Sequence, residues 1–144
     1  MKIFSRNGII LIAIIIICVC AVAFLSLNAI PNAKSITIEA QGSNVPLDSK
    51  LVYFTLKNKS FMRISYGTPF CIDQMIDEEW IEVVPYDRVN FELGAYDLLA
   101  FSSVSIAYPI SSYSPVLEVG EYRLRMDVRY DSTVLELSCR FYFC

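Results

Sequence analysis

The chain contains no histidine. That absence removes Ser-His and Cys-His nucleophile pairs and every histidine-containing metal site. Glycine and proline are scarce, five and six in 144 residues, too few for a disordered or low-complexity chain. There is no glycine-rich phosphate loop and no dinucleotide fingerprint. Acid is missing from the N-terminal part, where no Asp or Glu precedes Glu39. Basic excess is missing from the rest: the ten Lys and Arg after Arg6 face all fifteen Asp and Glu, a net charge of −5. Nucleic acid demands a basic surface, so it is excluded as a partner. The same balance argues against lying flat on anionic lipid.

The length allows one domain and an anchor, not two domains. Hydrophobic residues make up 55% of the chain, and the excess is local. From Gly8 to Leu27 the only polar side chain is Ser26, apart from the thiols of Cys18 and Cys20. About 20 apolar residues suffice to cross a bilayer as a helix. Lys2 and Arg6 precede the run and hold the N-terminus in the cytoplasm, so the remainder is expected outside. Residues 1–7 therefore read as a basic lead, 8–27 as a transmembrane signal-anchor, 28–34 as a linker ended by Pro31, and 35–144 as the extracytoplasmic domain. A cleaved signal would have a shorter apolar core and small residues at −3 and −1. Cleavage after Ala29 puts Leu27 at −3, and cleavage after Ala33 puts Pro31 there. Cys20 follows Ile17, Cys18 and Val19, which is no lipobox. An uncleaved anchor is favoured over a cleaved signal, which would release the domain as a secreted protein.

Beyond Ala33 no helical period is sustained, and strand signals take over. Ile36 and Ile38 alternate with polar neighbours, and Val52, Phe54 and Leu56 share one side of the next strand. Residues 41–49 read as a loop, Asn58-Lys59-Ser60 as a turn, and Phe61–Ile76 as one or two strands broken near Gly67. Asp77-Glu78-Glu79 forms a charged turn before the strand from Trp80 to Val84. Tyr122, Leu124, Met126, Val128 and Tyr130 take every even position from Glu121, with Arg123, Arg125 and Arg129 between them. Leu135, Leu137, Cys139, Phe141 and Phe143 repeat the pattern after a turn at Asp131-Ser132. Period two over such lengths means half-buried antiparallel strands. A slip by one residue would put the arginines in the core, so the register is well set. The fold class is all-β, a sandwich or barrel.

Leu117, Gly120, Tyr122 and Arg123 form the pattern Leu-x-x-Gly-x-Tyr-Arg, which resembles the start of a late strand in immunoglobulin-like sandwiches. Asn58 to Ser60, Tyr66-Gly67, Phe70 to Asp73 and Glu79-Trp80 to Val83 together resemble the bacterial immunoglobulin-like domains of Gram-positive secreted and membrane-attached proteins. Asp73 stands where that pattern more often has Glu. The resemblance covers Ser35 to Cys144 and implies an antiparallel immunoglobulin-like sandwich outside the cytoplasm, without catalytic residues. It also implies that the Tyr122 hydroxyl anchors a corner. Residues 85–116 carry no matching motif.

The remaining constellations are weak. Asp77, Glu78 and Glu79, with Asp73 and Glu82 nearby, could bind calcium, but a solvated hairpin tip is favoured because the Asp-x-Asp-x-Asp-Gly frame is missing. Tyr108, Tyr113, Tyr130, Tyr142 and Trp80 are weighed as an aromatic surface against ordinary core. Tyr142, on the polar face of the last strand, is the best single contact candidate; Tyr113 and Tyr108 come next. Cys139 shares the apolar face, whereas Cys71 and Cys144 point the other way, so no disulfide is expected. Asn58-Lys59-Ser60 fits a glycosylation acceptor, but in a bacterial protein it is only a turn. No cofactor or metal is expected. The function that follows is a membrane-anchored, non-catalytic binding or structural module of the cell envelope, its partner another envelope protein, a surface polymer or a copy of itself. One alternative is an accessory or inhibitory subunit of an envelope enzyme or transporter. A small carboxylate-dependent hydrolase, needing two acids with raised pKa in a cleft, is the other.

Overall fold

The structure is a computed structural model that describes residues 6–28, 34–85, 94–113 and 117–144. Among the described residues, helix α1 (Arg6–Asn28) precedes ten strands: β1 (Ile36–Ala40), β2 (Asn44–Val45), β3 (Leu51–Asn58), β4 (Ile64–Gly67), β5 (Cys71–Ile76), β6 (Glu79–Glu82), β7 (Ala95–Leu98), β8 (Ser102–Pro109), β9 (Gly120–Tyr130) and β10 (Thr133–Phe143). One sheet runs β1-β3-β8 and the other β2-β10-β9-β4-β7. Strand β5 also pairs with β9 and carries β6 on its far side. The period-two faces meet between the sheets. Ile36, Phe54 and Leu56 from one sheet and Tyr122, Leu124, Val128 and Phe143 from the other are almost fully buried. Phe54 meets Phe141 edge-on across the gap, ring centres 5.6 Å apart.

Two segments hold strands that the motifs do not mark. Residues 41–49, read as a loop, contain β2, which pairs in parallel with β10 through Asn44 and Val45 and covers the edge of the last strand. A two-residue strand has no period to detect. The stretch 85–116 contains β7 and β8; β8 pairs with β3 over its whole length. This strand does alternate, with Val104, Ile106 and Tyr108 inward and Ser103, Ser105 and Ala107 outward, but it carries none of the motif residues. Residues 86–93 and 114–116 lie outside the described residues.

The path of the chain sets the two ends of the sandwich apart. Ile36 pairs with Asn58, Asn58 with Ser102, and Ile64 with Leu98, while Tyr66 pairs with Val128 of β9. The start of β1, the β3–β4 turn, the β7–β8 turn and the β9–β10 turn therefore share one end. The β5–β6 turn and the C-terminus share the other, because Gln74 pairs with Tyr122, and Phe143 with Gly120.

Helix α1 lies outside the core. Its described side chains, 10 and 12–24, are exposed, and its contact with the domain includes Phe24 edge-on to Phe61 at 6.5 Å. Among the described residues no helix is long and apolar enough to cross a membrane. The expected span 8–27 reaches past the described side chains at both ends. The basic lead to residue 5 and linker residues 29–33, with Pro31, lie outside the described residues.

Candidate functional site: the polar face around Asp73 and Trp80

The outward positions of β9 and β10 are polar because the inward ones fill the core, and this places Arg123, Arg125, Arg140 and Tyr142 on one face. Strand β5 brings Asp73 opposite Arg123 in register, and β6 brings Glu82 opposite Asp73. Asp73 is 1% exposed although it points away from the core. Its carboxylate accepts from Arg123 Nε at 2.5 Å and from Arg125 Nε and Nη2 at 2.8 and 3.0 Å. Arg125 donates further to Glu82 and Glu136, and Arg140 to Glu121. Burial works against the ionised form of Asp73, but the hydrogen bonds from Arg125 and Arg123 outweigh it and hold its pKa below the usual value. The same contact holds the Arg125 guanidinium protonated.

Trp80 completes the face. Arg123 lies over its ring at 4.7 Å from the centroid and Arg140 at 5.3 Å. Arg140 is three strands away from β6, so the indole must lie across the sheet to meet both guanidiniums. Trp80 is thus half-buried in a charged lattice, and Tyr142, 41% exposed, stands on the same face.

Tyr108 and Tyr113 require correction as contact candidates. They are 2% and 3% exposed. Tyr108 falls on the inward face of β8, packs on Phe70 at 4.4 Å between ring centres, and donates from its hydroxyl to Met126 Sδ at 3.5 Å. Burial pushes its hydroxyl pKa up to about 12. Tyr113 lies 6.0 Å from the same Phe70 ring. Both belong to the core.

The motif around Tyr122 forms a tyrosine corner. The buried Tyr122 hydroxyl accepts from Glu118 N at 3.0 Å and donates to Glu118 O at 3.1 Å, tying the approach to β9 onto the strand. Leu117 is buried beside it. Gly120 is less demanding, since an added Cβ would find its nearest neighbours at ordinary contact, 3.7 and 3.8 Å away.

A groove of about 640 Å³ adjoins the lattice. Strands β4 and β5 share one edge of β9 but leave Met126 and Asp127 between them. Tyr66, Phe70, Cys71, Arg125 and Arg129 line the notch. Burial raises the Cys71 pKa, which works against a reactive thiolate. All five cysteines are free. Glu39, beside Lys57, and Asp73 both have lowered pKa values, the opposite of a general acid. Asp77 and Glu78 form the tip between β5 and β6, and among the described residues no group of His, Cys, Asp and Glu could hold a metal ion.

The sequence profile of the bacterial Ig-like domain family matches residues 32–141. The chain belongs to that family. Its members are typically non-catalytic, in keeping with an ionised, arginine-bound Asp73. No curated protein matches this bacterial Ig-like chain. Among solved structures it is similar to the Pseudomonas fluorescens alkylpurine DNA glycosylase AlkC bound to DNA containing an abasic site analog, at 16% identity and a TM-score of 0.42, over 85% of this chain and 33% of that one. It is also similar to the β-glucosidase EmGH1 from Erythrobacter marinus, at 13% identity and 0.41, over 75% and 15%. A third is the ASH/PapD-like domain 7 of human CEP192, at 8% and 0.35, over 80% and 90%. The chain thus spans about a third of the glycosylase and less of the glucosidase.

Sequence reasoning missed two residues that organise the domain. One is Asp73 as the buried centre of the ion-pair lattice; its arginine partners lie about fifty residues away in the chain, so no local signal marked it. The other is Asn58, 1% exposed. Its Nδ2 donates to Met62 O, Leu98 O and Leu99 O at 2.8, 3.3 and 3.0 Å. Its Oδ1 accepts from Ser60 N and Oγ at 3.0 and 2.7 Å. Asn58 and Ser60 are therefore a buried stitch between two turns, with Lys59 exposed between them, and the Asn58 amide is closed to a glycan.

Proposed function

We propose that this chain is a membrane-anchored, non-catalytic module of the bacterial cell envelope. Its N-terminus lies inside, and its immunoglobulin-like domain presents the polar face to an envelope protein or surface polymer. The observation that carries the reading is an apolar helix left outside the sandwich. The described side chains of α1 are exposed, and none joins the hydrophobic core. A helix apolar all round has no stable place in water, whereas the run 8–27 has about the length that a bilayer core asks for. For the partner, Tyr142 is the contact residue best supported, an exposed ring beside the arginines.

Two measurements test this. Intact mass and carbonate extraction of the native protein should give the full-length chain in the membrane fraction. A soluble chain shorter by about 30 residues, the size of a signal peptide, overturns the anchor. A photo-crosslinking residue at position 142 should capture an envelope component that one at the buried position 113 does not. Equal capture from both overturns the contact assignment.

A further inference from the structure

The end of the sandwich nearest α1 carries an apolar patch that the fold does not use. Phe61 and Met62 in the β3–β4 turn are each 40% exposed, and Leu99 and Phe101 in the β7–β8 turn 65% and 57%. The Phe61 and Phe101 rings meet edge-on at 4.7 Å, so the two turns form one surface. Asn58 builds it: a single buried amide holds the carbonyls of Met62 and Leu99 and fixes both backbones. Phe101 also occupies left-handed backbone, with φ of 54°, where large side chains are rare. A strained position that displays an exposed aromatic ring points to a role outside the domain.

We propose that this end docks on the lipid bilayer, with Phe61, Met62, Leu99 and Phe101 inserted at the boundary between headgroups and acyl chains. The inference rests on the anchored reading of α1. Three observations select lipid as the occupant. The patch is continuous with the helix through Phe24, which packs on Phe61. Residues 29–33 limit the separation of Asn28 and Lys34 to about 20 Å even when fully extended, and β1 starts at this same end. Lys34, Lys59 and Arg63 lie there against Asp97 and Asp131, so this end escapes the acidity of the whole domain. The charge argument against lying flat on anionic lipid concerns the sheet faces; end-on docking keeps the carboxylates of Glu82, Glu121 and Glu136 off the membrane.

The test uses the full-length chain in phosphatidylcholine–phosphatidylglycerol vesicles with brominated acyl chains, which quench a nearby indole. Native Trp80 sits at the Glu121 end of β9, about 30 Å of strand from the patch, and serves as the distant control. Phe101→Trp in a Trp80→Phe background should be quenched several-fold more than Trp80 in the unmodified chain. Phe61→Trp in the same background provides a second reporter, should the first variant not fold. Protein that floats with the vesicles while the reporter is unquenched overturns docking and leaves the anchor standing. Protein that does not float overturns both. An unquenched reporter with cross-links between copies at the patch assigns the surface to a dimer instead.

Discussion

Asp73 and Arg125 are joined through both carboxylate oxygens, with Nε donating to Oδ2 at 2.8 Å and Nη2 to Oδ1 at 3.0 Å. Such forked geometry orders both planes and makes the pair stronger than a point contact. Removing the acid leaves two guanidiniums without their shared partner. Those side chains keep 23% and 29% of their exposure, so water offsets part of the loss. Asp73→Ala is expected to cost about 3 kcal/mol, the lower part of the range for a broken buried pair. Urea denaturation measures it, and a loss below about 1 kcal/mol would place the pair in the surface class.

The same carboxylate links stability to pH. Its folded pKa is depressed because the arginine hydrogen bonds outweigh burial. Its contribution is therefore present above the unfolded value, near 4, and is lost as pH falls through the folded value. Asp73→Asn should flatten the acid limb of the stability profile and leave its shape above about pH 5 unchanged. An unaltered acid limb would exclude Asp73 as the titrating group.

Tyr122→Phe removes only the hydroxyl that bridges Glu118 N and O. The loss should be about 1–2 kcal/mol, the usual range for a part-buried hydrogen-bonded group. Denaturant midpoints read it directly, and the slope should not change because the core is intact.

The tip between β5 and β6 holds Asp77 and Glu78 at φ of 48° and 67°. A two-residue turn with both central residues in left-handed backbone suits Asn-Gly far better than Asp-Glu. Asp77→Asn combined with Glu78→Gly should stabilise the domain by about 1 kcal/mol, a rise of a few degrees in Tm. A fall in Tm would show that the carboxylates have a further role.

Burial pushes the Cys139 thiol pKa up to about 11. Only about one part in a thousand is then thiolate at pH 8, so alkylation should be slow there. Cys144, exposed at the chain's end, should label first. Mass-resolved alkylation over time ranks the two, and a faster Cys139 would place that strand edge in solvent.

Where the side-chain contrast along a strand is strong, the sequence by itself determined the structure. The alternation in β9 and β10 settled face and register, because any slip would bury Arg123 and Arg125. Tyr122 was legible as a corner only through the resemblance of Leu117-x-x-Gly120-x-Tyr122-Arg123 to immunoglobulin-like sandwiches; the structure supplied its partner, Glu118. Tertiary structure alone decided what depends on distant segments. Tyr108 and Tyr113 are aromatic whether buried or exposed, and only the packing of Phe70 against them assigns them to the core. Asp73 became the centre of the polar face because β5 was laid beside β9, fifty residues further along the chain. Asn58 looked like a turn residue, which it is, but the carbonyls of Leu98 and Leu99 that bury it come from forty residues away. Local patterns report which side of a strand faces in, whereas partners across sheets are chosen by the whole fold.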